Sequence, residues 1–194
     1  MNKYLITLLI SLASFSVWAD NCEQRKLSFG ELPFEQSDGL VVIIGPYQFN
    51  LPGAPIALVA FDGIMAAYPE KKYVSYQLIP NDSVAAALSQ FTTKKLSSAD
   101  LDRYLYGLYS VESLNEADQA LVRAMRSDMQ LDCRARLTSF TVGSGVQAIF
   151  QEATPTDPEH RILLFANDST YLISVRGDKE MALNVLQTIA LKQQ

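Results

Sequence analysis

Four short segments decide the fold: RARLTSFTV (134–142), VQAIFQE (146–152), RILLFAN (161–167) and TYLISV (170–175). Apolar residues recur at every second position, as at Val146, Ala148 and Phe150, which is the period of a strand. Gly143-Ser144-Gly145, the loop from Thr154 to His160, and Asn167-Asp168-Ser169 separate the segments. Connections that short join neighbouring antiparallel strands, so the last third is expected to be a meander. Beyond it, Asp178 is placed to cap a helix whose Ala182, Val185, Leu186 and Ile189 share one face and cover the sheet.

Working back toward the N-terminus, the middle third carries helical signals. Asn81-Asp82-Ser83 is a cap for residues 84–91. Ser97 with Asp100 caps a helix over 100–109, and Ser113 with Glu116 caps one reaching Gln130, with Ala117, Ala120, Leu121, Ala124 and Met125 on its apolar face. Leu40 to Ile44 reads as a buried strand ended by Gly45-Pro46. Tyr47, Phe49 and Leu51 alternate with polar residues, and so do Val74, Tyr76 and Leu78. Residues 56–68 carry two signals. Asp62-Gly63 marks a hairpin turn, while Pro55 followed by alanines 57, 60, 66 and 67 favours a buried helix, which is the expectation here. The sum is an α+β fold: an antiparallel sheet with helices packed on one face and a helical excursion mid-chain.

The chain has 194 residues, 48% hydrophobic and 19% charged, the composition of a globular domain rather than a disordered tail. Residues 1–19 carry Lys3, an apolar stretch from Leu5 to Phe15, and Val17-Trp18-Ala19, the pattern of a signal peptide cut after Ala19. The run is too short and too serine-interrupted for a membrane anchor. The expectation is a single mature domain over 20–194, periplasmic or secreted, with no membrane anchor left after cleavage. Trp18, the only tryptophan, leaves with the peptide. Cys22 and Cys133 then remain as an even pair in an oxidising compartment, expected to form a disulfide. Closing a loop of about 110 residues removes unfolded-state entropy worth about 4–5 kcal/mol.

The formal net charge of -5, without a basic block, argues against nucleic acid as a partner. There is no phosphate-binding glycine loop, no metal-ligand spacing and no expected cofactor. His160, the only histidine, reads as a solvated loop residue. Ser144 lies in a hairpin turn rather than a nucleophile elbow. The acid pairs Asp100/Asp102 and Glu112/Glu116 lie where helices begin and complement the helix dipole. Asp62 stands alone in an apolar segment.

Two features point to a protein partner. Tyr104, Tyr106 and Tyr109 lie in an apolar helix, and tyrosine joins a large contact area to a polar tip. A helix buried on two sides reads the same way. Arg123, Arg126, Arg134 and Arg136 crowd one short region as a candidate anion or acidic-partner site, or as a solvated face paired with acids. With no catalytic constellation in view, the expected function is protein–protein binding in the cell envelope, in the manner of an inhibitor or immunity-type protein. The alternative is a small-molecule or lipid carrier with its pocket between the sheet and residues 56–68.

Overall fold

The computed structural model describes residues 28–35, 38–60, 63–79, 88–92, 96–131, 136–142, 145–166 and 168–192. The first 27 residues, Asp62, Cys22, Cys133, Arg134, Ser144 and most of the expected helix over 84–91 lie outside these. Eleven strands and three α-helices follow in chain order. They are β1 (Ser28–Glu31), β2 (Val41–Ile44), β3 (Tyr47–Asn50), β4 (Ala57–Ala60), β5 (Gly63–Ala67) and β6 (Tyr73–Ile79). Then come α1 (Ser98–Leu105), α2 (Glu116–Asp128), β7 (Leu137–Val142), β8 (Val146–Gln151), β9 (His160–Phe165), β10 (Thr170–Arg176), α3 (Lys179–Gln187) and β11 (Ala190–Leu191). The class is α+β.

The meander forms as its alternation requires. β7 through β10 pair in sequence order, each antiparallel to the next, at the centre of an eight-stranded sheet ordered β1-β7-β8-β9-β10-β6-β5-β4. β1 lies parallel to β7, so the sheet is mixed at that edge. A second, three-stranded sheet is ordered β11-β3-β2. On β8, Ala148 and Phe150 face a core shared with the small sheet and α3, whereas Ile149 faces a second core built with α1 and α2. On β9, Ile162 and Leu164 belong to the first core and Leu163 and Phe165 to the second. Burial on both faces explains the unbroken apolar run ILLF at 162–165. The helices therefore divide between the two faces of the large sheet, with α3 and the small sheet opposite α1 and α2.

The described residues of 56–68 do not form a helix. β4 pairs antiparallel with β5, and β5 with β6, so the segment extends the sheet. Backbone pairing with β6 outweighs the helical preference of the alanines, and the Asp62-Gly63 turn signal is the informative one. Residues 41–44 are a half-buried strand, with Val42 and Ile44 inward and Val41 and Ile43 outward, rather than a buried one.

Helix signals hold at two termini and shift at the third. Ser97 and Asp100 form a reciprocal capping box for α1, and the Asp178 side chain accepts from the Met181 N–H to cap α3. α2 is instead capped by Asn115, which accepts from Asp118 N–H, while Ser113 ends a 3-10 turn. That shift turns Asp118 and Val122 inward and leaves Ala117, Ala120 and Ala124 exposed. Asp118 is buried with hydrogen-bond partners, because Thr92 donates to it through both its N–H and its hydroxyl.

Candidate interaction surface

Among the described residues, each sheet ends on an unpaired, apolar edge strand. β4 is the last strand of the large sheet, and β2 the last of the small one. All four residues of β4 are exposed. Ile56 just before it is 70% exposed, Leu58 53% and Val59 45%; on β2, Val41 is 51% exposed and Ile43 50%. With Leu40, these supply six of the eleven large hydrophobic side chains exposed among the described residues, all within one twenty-residue stretch. Scattered exposed apolar residues are ordinary, whereas a concentration on two strand edges is a candidate contact surface. A groove of about 480 Å³, lined by Asp38, Gly39, Leu40, Gly53, Ala54 and Pro55, lies where the two strands begin.

The residues singled out from sequence fall elsewhere. Tyr104 and Tyr106 are buried in the core beneath α1, with Leu101, Leu105 and Val122. The Tyr104 hydroxyl is within hydrogen-bonding distance of Ser113 Oγ, 3.1 Å away, and burial pushes the Tyr106 hydroxyl up to about 12. Both are therefore core residues rather than a docking face. Only Tyr109 stays exposed, edge-on to Tyr104 at 5.3 Å and beneath the Arg103 guanidinium at 5.7 Å. The arginines have separate partners: Arg123 donates to Gln119 Oε1 at 3.2 Å, and Arg136 approaches Glu152 at 3.8 Å. Arg126 lies half-buried on α2.

No family model matches this chain, and no curated protein or solved structure is found to be similar to it. The surface is therefore read from its own chemistry.

His160 opens β9 and is buried, not solvated. Its ring stacks on Phe150 with centroids 5.6 Å apart, and its Nδ1 accepts from the Ala153 N–H at 3.1 Å. Nδ1 thus cannot take a proton without losing that bond, and burial holds the imidazole below its ordinary 6.5. Its contacts are those of a packed core residue. A histidine with a lowered folded pKa contributes fully above the unfolded value, and that contribution is lost as pH falls below it. Wild type is therefore expected to lose stability relative to His160→Phe between about pH 7 and about pH 5, read by urea unfolding across pH. Parallel curves would remove the neutral-histidine account.

Asp102 does not cap α1 but lies buried along it, with its carboxyl facing the buried Thr170 hydroxyl. Burial, opposed by the Thr170 hydroxyl and then by the Arg103 charge, raises the Asp102 carboxyl above its ordinary 3.8. Such a group stabilises most below that value and loses its contribution as pH rises through the folded pKa. Asp102→Asn is expected to gain on wild type from about pH 4 upward, reaching about 1–3 kcal/mol at neutral pH. A constant difference across pH would contradict it.

Among the described residues, no group of three His, Cys, Asp or Glu is placed to hold a metal ion, and no helix is long and apolar enough to cross a membrane.

Proposed function

We propose that this is an exported protein of the cell envelope that acts by binding other polypeptides through the open edges of its two sheets. The observation that carries this reading is the concentration of exposed apolar side chains on β2 and β4. A free strand edge offers a row of backbone donors and acceptors, and its apolar side chains add burial when another chain docks. An inhibitor or immunity-type protein is one concrete form of this role. Export rests on the signal-peptide pattern of residues 1–19, and the expected Cys22–Cys133 bridge belongs to the same reading.

A carrier would need a roofed pocket. Residues 56–68, expected to supply the roof, lie in the plane of the sheet instead. A cleft between Tyr47, Arg103, Gln147 and Phe165 measures about 210 Å³. That is smaller than the roughly 300–1,000 Å³ of small-molecule sites. The groove of about 480 Å³ at the start of β2 and β4 falls within that range but lies at the strand edges rather than beneath a roof.

The test is capture from envelope extract on immobilised mature protein, comparing wild type with an Ile43→Lys/Leu58→Lys double variant. A stoichiometric polypeptide retained by wild type and released by the variant is the expected result. Identical eluates from both would remove the edge strands as the contact surface.

A further inference from the structure

We propose that β4 is occupied by a second copy of this chain, strand against antiparallel strand, about a two-fold axis passing beside Leu58. Two eight-stranded sheets then become one. This inference rests on the reading of the open edges as contact surfaces and names the occupant of one of them; β2 remains for a different partner.

The register dictates which side chains would meet. Leu58 lies opposite Ala66, and Ala66 belongs to the core between the two sheets, so Leu58 faces that side. By strand alternation Ile56 and Ala60 share its face, while Ala57 and Val59 take the other. A two-fold axis perpendicular to the sheet keeps each face on its own side. With the axis at Leu58, Leu58 meets Leu58 of the other copy, Ile56 meets Ala60, and Ala57 meets Val59. Away from the central leucines, every large side chain is opposed by a small one. Moving the axis to Ala57 would set Val59 against Pro55, which has no N–H to give the ladder. The sequence I-A-L-V-A at 56–60 is thus complementary to itself reversed.

Charge favours the same occupant. No charged residue lies between Pro52 and Phe61, in a chain of net charge -5. Two acidic copies repel over most of their surfaces, and this uncharged edge is where they approach with least cost. Natural edge strands are guarded by charges or proline. Here Pro55 guards the start of β4, and the strand itself carries no guard. The pairing adds one short strand ladder per copy, so the dimer belongs among small, concentration-dependent interfaces.

Sedimentation of the mature, oxidised protein over a wide concentration range reads the outcome. Wild type is expected to dimerise reversibly. Leu58→Lys, which puts two ammonium groups on the axis, raises the dissociation constant by at least about a hundredfold while keeping the monomer folded. A Leu58→Cys variant is expected to cross-link to itself through the new thiol, and a Leu78→Cys control on exposed β6 surface is not. A dimer that survives Leu58→Lys and leaves the new thiol free overturns the proposal, because the copies then meet elsewhere. A monomer at every concentration also overturns it. In that case, a different polypeptide captured by wild type and lost with Leu58→Lys preserves the edge-contact reading, whereas an empty eluate ends both.

Discussion

Phe150→Ala is expected to lower the unfolding free energy by about 3–5 kcal/mol, the range for deleting a fully buried aromatic ring. Phe150 is 1% exposed, in the core that joins the large sheet, the small sheet and α3. It stacks on His160 at 5.6 Å and tilts against Phe140 at 6.2 Å. It lies mid-strand on β8, hydrogen-bonded into ladders with β7 and β9, so the backbone cannot move in to fill the void. Urea unfolding should show a lower midpoint with an unchanged slope. Phe150→Leu, which keeps most of the volume, should cost less than half as much. A loss below about 1 kcal/mol for the alanine variant would mean the ring is not a keystone of this core.

Gly45→Ala should cost about 2–4 kcal/mol through two separable causes. Gly45 has φ +58 and sits with Pro46 in the two-residue connection between β2 and β3, where Ile44 pairs with Tyr47. Glycine first and a residue of negative φ second is the pattern of a type II′ hairpin turn, and an L side chain at the first position is strained. The space is also taken. A Cβ added at Gly45 would lie 2.1 Å from the Tyr171 hydroxyl oxygen. Tyr171 is held edge-on against Tyr47, with ring centroids 5.9 Å apart. Truncating Tyr171 in the Gly45→Ala background relieves the contact but not the backbone strain, so the double-mutant cycle should be non-additive. Strict additivity would assign the whole cost to φ.

What was legible in the sequence was local. The meander from β7 to β10 carries its own alternation and its own short turns, and the Ser97–Asp100 and Asp178 caps are satisfied within one helical turn. The parts that depend on distant partners were not legible. β1 pairs with β7 across more than a hundred residues, and nothing in Ser28–Glu31 announces it. β4 lacks amphipathic alternation because both of its faces are exposed, which made its alanines resemble a helix. Tyr104 and Tyr106 were ambiguous because an apolar helix packed against a sheet and a second helix has the same composition as one offered to a partner. The structure resolves them inward. His160 looked solvated because its neighbours are Pro158 and Glu159, yet the Phe150 ring and the Ala153 amide hold it inside. In sequence, Leu40 to Ala60 reads as strands followed by the start of a buried helix. That β2 and β4 lie at sheet edges is a fact of sheet order.

The account turns on whether β4 is paired in solution, and backbone amide exchange across residues 56–60 answers that directly. The account predicts that the amides pointing away from β5 gain protection with protein concentration, or on adding envelope extract, and that this gain disappears in Leu58→Lys. Fast exchange at β4, equal in wild type and variant at every concentration and with extract present, would contradict it.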